Sequence, residues 1–452
     1  MTAVFDIGRT NKKFFVFDDQ FREVHRVYAT FPMVTDEDGF PCEDLTALVS
    51  WMRQTLRATV ADPRFRITAL NFSAYGASLV HVDESGAPLT PLYNYEKPYP
   101  AGLAEELYAK YRGATDFALA TGSDAAGMLN SGLQLYWLKR TRPKIFARIA
   151  YSLHLPQYLS YVFTGRPVSE FTSIGCHTAL WDYRQRNYHE WVHKEGVARV
   201  LAPVVPAPTT YPVRCLDQTL RVGVGLHDSS AALLPYLQCE PRRFCLLSTG
   251  TWSVSLNPFA GGPLRNDDQV GDCINYMTVG GEPVRAARLF LGEEYRRQTE
   301  WLAERFGVPV GEVHRVSFDQ HFFDQANGDD RPELSLFTDA ETVRAANHIP
   351  QAWTLARAYH FVMDALSEHQ YRSLADALDH RWPAALYLDG GFGDNEVFCA
   401  ALCRRLAGTE FYLTDASMGS ALGAAVCLHD GPLAHDFLRR NYGMRLYGAN
   451  ND

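Results

Sequence analysis

The sequence lacks long hydrophobic runs and cysteine pairs at the spacing of a metal or redox site. No segment of the 452 residues approaches the 18 consecutive apolar residues of a membrane-spanning helix, and no leader pattern precedes the first predicted strand. We therefore expect a cytoplasmic protein with no membrane partner. The nine cysteines are scattered and odd in number, which predicts reduced thiols in the core.

An excess of positive charge is also lacking. Lys and Arg number 43 against 52 Asp and Glu, and the net charge of −9 disfavours a general binder of nucleic acid. A chain of this length is too long for one compact core. We expect two domains, 1–220 and 221–452, with the boundary just past the stiff Pro-rich segment 202–208. A small molecule is the expected partner, and a homodimer is left open.

The stretch RVGVGLHDSSAALLP, residues 221–235, places one carboxylate at a strand-to-helix corner. A β-branched apolar run turns at Gly225, and an Ala/Leu-rich helix is predicted to begin at Asp228. Ser229 and Ser230 can cap this helix, and its positive end keeps a nearby acid ionised. Two interpretations stay open, because an isolated Asp before Ala and Leu is also typical of a plain N-cap.

Two hairpins of similar design are predicted about 240 residues apart. In the first, strands 3–7 and 14–17 flank a Gly-Arg-Thr-Asn turn, whose backbone N–H groups and following Lys12 can bind phosphate. Asp6, on the first strand, can hold hydrated Mg²⁺. In the second, an apolar strand from residue 244 runs into the turn 248–251, and residues 252–256 form the return strand. The pair implies a duplicated architecture with the active site between the halves.

A third glycine-rich turn follows the predicted buried strand YLD, at Gly390 and Gly391. A helix is predicted after it, over 397–406. A double glycine between a strand and a helix N-terminus lets the backbone approach a nucleotide closely. A lone GGxG is unspecific, but its place after two phosphate-type hairpins favours a nucleotide site.

These motifs in this order, DIGRTNKK, GLHDSSAALL, LLSTGTWS, YLDGGFGDNEVF and SALGAAV, resemble those of the FGGY carbohydrate kinases. The middle of the chain, HLPQYLSYVFTG and SEFTSIGCHTALWD, is most similar to the rhamnulokinase branch. The resemblance implies an α/β, two-lobed actin/hexokinase-like (ribonuclease H-like) fold with duplicated domains and a cleft between them. It also implies transfer of the γ-phosphoryl group of Mg·ATP to a small ketose, with L-rhamnulose or L-fuculose favoured.

The resemblance also implies residue roles. Asp228 matches the base that accepts the proton of the sugar hydroxyl, and Asp6 matches the acid beside Mg²⁺. The residues that match the ATP-binding motifs are Gly8, Thr10, Asn11, Lys12, Ser248, Thr249, Gly250, Thr251, Gly390, Gly391 and Asn395.

A sugar site is expected where a strand over 66–73 runs into Tyr-Gly-Ala-Ser. The residues expected to contact substrate are Tyr75, Gly76, Ala77, Ser78, Tyr95, Glu96, His177, His227 and Asp228. A plain β-bulge at Gly76, core tyrosines and a structural histidine are the competing interpretations. Ser78 stands where the rhamnulokinase branch has Asp, and the segment 93–97 stands where that branch usually has an Arg-Asp pair. These differences leave the identity of the sugar open.

Other classes of function also remain open. They are a kinase for another ketose or a polyol (xylulose, ribulose or glycerol type), a non-catalytic sugar sensor on the same fold, and an actin-type ATP hydrolase. In the second half the sequence predicts a helical region from Arg285 through Gly292 to Arg305, an irregular excursion over 318–339 and a frayed tail from Ala449.

Overall fold

The computed structural model of the chain describes residues 1–265, 272–326, 334–415 and 418–448. In these residues two mixed sheets of seven strands form the two halves of an α/β fold. The first sheet has the order β11-β12-β6-β1-β2-β3, with β13 beside β6. Its strands are β1 (Thr2–Ile7), β2 (Lys12–Phe17), β3 (Glu23–Ala29), β6 (Ala69–Ala74), β11 (Thr210–Cys215), β12 (Gln218–Gly223) and β13 (Leu226–His227).

The second sheet has the order β16-β17-β15-β14-β18-β19-β20. Its strands are β14 (Phe244–Thr249), β15 (Ser253–Asn257), β16 (Cys273–Met277), β17 (Pro283–Leu289), β18 (Ala385–Gly390), β19 (Glu410–Thr414) and β20 (Arg445–Leu446). Short pairs complete the strands: β4 (Val34–Thr35) with β5 (Pro41–Cys42), β7 (Leu79–Val82) with β8 (Tyr151–His154), and β9 (Trp181–Asp182) with β10 (Asn187–Tyr188).

Helices lie between the strands of both halves. Those of the first half and the junction are α1 (Leu45–Ala61), α2 (Ala101–Lys110), α3 (Gly113–Thr121), α4 (Ser131–Thr141), α5 (Pro143–Arg148), α6 (Leu155–Thr164), α7 (Phe171–Ile174), α8 (Glu190–Lys194) and α9 (Asp228–Cys239). Those of the second half are α10 (Leu291–Phe306), α11 (Val310–Val313), α12 (Gln320–Ala326), α13 (Ala340–Ala346), α14 (Leu355–Leu378), α15 (Glu396–Arg405), α16 (Gly419–Val426) and α17 (Phe437–Tyr442). In the described part of the chain, no helix is both long and apolar enough to cross a bilayer.

The two sheets repeat one plan, which confirms the predicted duplicated architecture. In the first, β1 runs antiparallel to β2 and parallel to β6. In the second, β14 runs antiparallel to β15 and parallel to β18. Each predicted hairpin therefore lies inside its own sheet, with a further strand on each side of it. Residue 220, the predicted domain boundary, lies inside β12, and the first sheet continues to His227; the boundary stays a prediction.

Helices α9 and α16 connect the halves by an unusually close contact. A Cβ on Gly423 would lie 1.7 Å from the carbonyl oxygen of Ala231, so only glycine lets the two helices meet here. Helix α16 also reaches the first sheet, where the Asn71 side chain donates to the Ala424 carbonyl at 2.7 Å. Helix α16, which comes late in the chain, is thereby packed against the first sheet.

Two local predictions in the second half are wrong. Residues 285–289 belong to β17, because pairing with β15 on one side and β16 on the other outweighs the helix propensity of Arg, Ala and Leu. Inside the predicted irregular excursion, residues 320–326 form α12, whose first turn is capped by Asp319 through the His321 N–H at 2.9 Å. The predicted loop at 327–330 and the tail from residue 449 lie outside the described residues.

Candidate active site

Asp228 lies where the first sheet passes into α9. Strand β13 pairs with β6 and ends at His227, which occupies the N-cap position, so Asp228 is the first residue of the helix. The interpretation of Asp228 as the N-cap is therefore wrong. Its Oδ1 accepts the N–H of Ser229 at 2.7 Å, and its side chain is 32% exposed. The carboxylate is held by the helix N-terminus and remains open to a ligand.

A cavity of about 1040 Å³ lies in front of Asp228, and both halves of the molecule line it. From the first half come Arg9, Tyr75, Gly76, Ala77, Tyr95, Glu96, His177, His227 and Asp228; from the second come Trp252, Val254, Tyr276 and Arg288. The structure thus brings the predicted substrate contacts together, apart from Ser78. Ser78 is buried, with 3% of its surface exposed, and its carbonyl accepts the N–H of Leu155.

His227 joins the carboxylate to a cysteine that sequence reasoning did not assign. Its Nε2 lies 3.1 Å from Asp228 Oδ1 and 3.2 Å from Cys176 Sγ. Burial lowers the pKa of His227, although the charge of Asp228 opposes this, so we expect a neutral ring. Burial raises the pKa of the Cys176 thiol well above its ordinary value, and the charge of Asp228 raises it further. The thiol therefore stays protonated beside the imidazole.

The second half reaches the same place through Tyr276 on β16. Its hydroxyl lies 3.3 Å from His177 Nε2, and its ring meets that of His227 edge-on at 5.3 Å. Burial lowers the pKa of His177 to about 3, so this ring is neutral at ordinary pH. His177 has a positive φ of 50° and faces the cavity, as the sequence predicts, and the partner of its ring is a tyrosine of the other half.

Asp6 lies on β1 opposite Ser73 of β6, and β6 also pairs with β13, the strand that precedes Asp228. The Asp6 carboxylate is buried, and Ser420 of α16 donates to Oδ1 at 2.8 Å. Burial raises the pKa of Asp6, the Ser420 hydrogen bond and the Lys13 charge lower it, and the charge of Asp228 raises it. The two carboxylates therefore act on one another. Neither Ser420 nor Lys13 was predicted from the sequence as a site residue.

The carboxylate chemistry of Asp6 fits Mg²⁺, which prefers oxygen ligands and is usually held by one or two carboxylates together with substrate phosphates. Among the described residues, no group of three or more His, Cys, Asp or Glu side chains could hold a metal ion. A metal held entirely by described protein side chains is therefore not indicated, whereas a hydrated ion shared with phosphates is compatible with Asp6.

The first turn uses Lys12 internally. The Lys12 ammonium donates to the carbonyls of Gly8 and Arg9, both at 3.0 Å, and pairs with Glu43 at 2.9 Å. Only 4% of the Lys12 surface is exposed. This geometry gives Lys12 a role in holding the turn and disfavours its predicted contact with phosphate. Thr10 and Asn11 form the exposed tip, and the Asn11 carbonyl accepts the N–H of Gly8 at 3.0 Å.

A smaller cavity of about 390 Å³ lies behind the second turn. Its lining combines the predicted Gly250, Thr251, Gly391 and Asn395 with Gly292, Glu293, Tyr295, Arg296 and Phe392. Asn395 caps α15 with its side-chain oxygen and donates from Nδ2 to the Tyr359 hydroxyl at 2.9 Å. This arrangement places backbone, an amide and aromatic rings around a space that suits a nucleoside.

A neighbouring cavity of about 430 Å³ is lined by the other predicted residues of the second half, Ser248, Thr249 and Gly390, and again by Gly391. Gly390 has φ of +99°, and a Cβ there would lie 2.0 Å from the Thr249 carbonyl oxygen. The Thr249 hydroxyl in turn donates to the Asp389 carbonyl at 2.7 Å. The turn 248–251 and the glycine-rich turn after β18 are thus in direct contact. This contact requires glycine at position 390.

Comparison with curated proteins finds rhamnulokinases that are similar to part of this chain. A rhamnulokinase of Halalkalibacterium halodurans is 26% identical over 262 residues, which cover 55% of this chain and 52% of that protein. A rhamnulokinase of Klebsiella pneumoniae subsp. pneumoniae is 25% identical over 254 residues, which cover 53% of this chain and 49% of that protein. The matched region thus spans about half the length of these curated relatives.

Solved structures extend the likeness of fold to nearly the whole chain. A carbohydrate kinase from Novosphingobium aromaticivorans superposes with a TM-score of 0.79 at 23% identity, over 97% of this chain and 95% of that one. Plasmodium falciparum glycerol kinase with ADP superposes with a TM-score of 0.72 at 14% identity, over 98% of this chain and 94% of that one. The family model described as the N-terminal domain of the FGGY family of carbohydrate kinases matches residues 1–226. This chain, half of which that model covers, belongs to the FGGY family of carbohydrate kinases.

Proposed function

We propose that the protein is an ATP-dependent carbohydrate kinase that phosphorylates a hydroxyl of a small ketose, with L-rhamnulose or L-fuculose favoured. The observation that carries this proposal is the position of Asp228. Its part-exposed carboxylate lies on one wall of a cavity whose other wall, with Tyr276 and Arg288, comes from the second half. A base between two lobes is what phosphoryl transfer to a hydroxyl requires.

In the proposed reaction the acceptor hydroxyl donates its hydrogen bond to Asp228, which takes the proton as the oxygen bonds to the γ-phosphorus. The bond between that phosphorus and the β,γ-bridging oxygen breaks, and ADP leaves with the electron pair. His227 keeps the carboxylate in position through its contact with Oδ1. Bound Mg²⁺ would neutralise phosphate charge, and Asp6 would hold it.

We assign the nucleotide to the turns of both hairpins and to the glycine-rich turn after β18. The proposed ATP contacts are Gly8, Thr10, Asn11, Ser248, Thr249, Gly250, Thr251, Gly390, Gly391 and Asn395. The adjoining cavities of the second half support the last seven of these, because those residues line them.

For the acceptor, we propose contacts from Tyr75, Gly76, Ala77, Tyr95, Glu96, His177 and His227, which line the large cavity with Asp228. The curated relatives named rhamnulokinase favour a 6-deoxyketohexose. Xylulose kinase and gluconate kinase, both from Lactobacillus acidophilus, are among the solved structures of the same fold. Other ketoses, polyols and aldonates therefore belong in the test.

A coupled ADP-release assay tests the proposal with L-rhamnulose, L-fuculose, D-xylulose, L-ribulose, glycerol and gluconate as separate acceptors. We expect acceptor-dependent ADP formation, highest with a 6-deoxyketohexose. Sugar binding by calorimetry without ADP formation would instead identify a sensor. ADP release that is independent of every acceptor would identify an ATP hydrolase.

A further inference from the structure

Arg9 is a cation of the first turn that faces the acceptor cavity. It lines the cavity with Tyr75, Tyr95 and Asp228, and its guanidinium carbon lies 5.4 Å from the centre of the Tyr95 ring. The neighbouring Lys12 is buried in the turn, where its ammonium donates to two backbone carbonyls. The positive charge that this turn presents to the cavity therefore includes that of Arg9, although sequence reasoning assigned the role to Lys12.

The two ion pairs of Arg9 with carboxylates are long for charged hydrogen bonds. Nη1 lies 3.4 Å from Glu43 and Nη2 lies 3.7 Å from Glu96, whose side chain is 64% exposed. Charge-assisted bonds to carboxylate or phosphate are usually about 2.7–2.9 Å. Glu43 also keeps a shorter partner in Lys12, at 2.9 Å. The guanidinium is thus positioned and charged, but loosely enough for a bound anion to replace Glu96.

Arg9 and Asp228 flank the same space. Tyr95 lines the same cavity as both residues, and the charges of Arg9 and Asp228 each act on its hydroxyl. Asp228 also acts on Asp6, which lies two residues before Gly8 on β1. Arg9 and Asp228 therefore share one cavity, and a phosphoryl group held by the first turn would enter the cavity that both of them line.

We propose that Arg9 is a catalytic residue whose guanidinium donates hydrogen bonds to the non-bridging oxygens of the γ-phosphoryl group during transfer. This inference rests on the proposed function. The step adds no reactant: the acceptor oxygen bonds to phosphorus, the bond to the bridging oxygen breaks toward ADP, and the proton goes to Asp228. The planar fork of arginine matches phosphoryl oxygens and stabilises the charge that spreads over them.

The test begins with whichever acceptor of the panel the wild-type protein phosphorylates. For Arg9→Ala, we expect kcat to fall about 100- to 1000-fold, as for removal of one electrostatic group from a transition state. The KM for the acceptor should change little. Arg9→Lys should recover little activity, because a point charge lacks the fork, and added guanidinium should restore part of the activity of Arg9→Ala.

A binding measurement supplies a second readout. By calorimetry with the acceptor present, ADP with aluminium fluoride should bind wild type more tightly than ADP alone, since it mimics the transferring group. Arg9→Ala should lose that gain and keep its affinity for ADP. The control is Arg22→Ala, whose side chain is 69% exposed and pairs with Asp18 in the next turn; it should behave as wild type.

The outcomes separate the two proposals. If wild type phosphorylates no acceptor, the proposed function fails. If wild type is active and folded Arg9→Ala or Arg9→Lys retains normal kcat, or raises only the KM for the acceptor, Arg9 has no catalytic role and this inference alone is overturned. Thermal unfolding midpoints equal to that of wild type establish that the variants are folded. If Arg9→Ala does not fold, Arg9→Lys serves as the test, because it keeps a positive charge beside Glu43.

Discussion

At the scale of residues, the chemistry depends on which side chains the fold brings into contact with Asp228. His227 touches both Asp228 and Cys176, so the proposed base is positioned by neighbours from two parts of the chain. The sequence places Asp228 and His227 at the corner, because a turn and a helix start are local signals. Cys176, 51 residues away from His227, carries no local signal for this contact.

We predict that Asp228→Asn lowers kcat by about two or more orders of magnitude, the usual loss with a general base. ATP affinity should remain, because second-half residues line the proposed nucleotide cavities. Steady-state kinetics and nucleotide titration measure the two effects. Asp217→Asn, at an exposed turn, is the matched control. Near-normal turnover of Asp228→Asn would remove this carboxylate from the mechanism.

At the scale of elements, the β7–β8 ribbon carries two buried histidines. Burial lowers the pKa of His81 to about 3 and that of His154 to about 4. His81 Nδ1 lies 2.8 Å from the Ser152 hydroxyl. An asparagine side chain at position 81 could also reach this hydroxyl. The ribbon is therefore stable with neutral rings, and protons bind preferentially to the unfolded chain.

We predict that each of these histidines makes the free energy of unfolding fall as pH decreases below the ordinary histidine pKa of about 6.5. The unfolded chain binds the proton first, so the slope approaches about 1.4 kcal/mol per pH unit for one histidine between its two pKa values. Urea unfolding from pH 7.5 to 5 should give a flatter profile for His81→Asn. The exposed His435→Asn is the control; an unchanged slope in His81→Asn would contradict the prediction.

The contact between α9 and α16 gives a second prediction at this scale. Gly423→Ala should destabilise the protein by about 1–3 kcal/mol, the usual cost of overpacking, because its Cβ would overlap the Ala231 carbonyl. Gly102→Ala, in α2 with open space around it, should be neutral or stabilising by up to about 1 kcal/mol. Equal unfolding midpoints in urea for the two variants would refute this account.

At the scale of the whole molecule, the halves are joined on one side of the large cavity by an ion-pair network. Arg288 on β17 contacts Asp124 of the first half at 2.8 Å and Asp272 of the second half at 2.6 Å. The Gly122 carbonyl accepts the N–H of Asn275 beside it. This side of the cavity therefore depends on both halves, whereas the smaller cavities are lined by residues of the second half.

We predict that Asp124→Asn raises the KM for the acceptor and leaves the KM for ATP unchanged, because it weakens the contact between halves without touching the proposed nucleotide site. Small-angle scattering should give a larger radius of gyration for the free protein. Asp116→Asn, which breaks an ion pair with Arg184 within the first half, is the control. Equal acceptor KM values for the two variants would show that the network does not shape the cavity.

The sequence by itself determined the duplicated hairpins, the glycine-rich turn, the corner at Asp228 and the family. Each of these is a local pattern of apolar alternation, glycine and helix starts, and their order along the chain is specific. Only the tertiary structure decided that 285–289 is a strand, because its partners β15 and β16 lie elsewhere in the chain. It also decided that Lys12 points inward while Arg9 faces the cavity, since the direction of each side chain depends on Glu43 and Tyr95, which are distant in sequence.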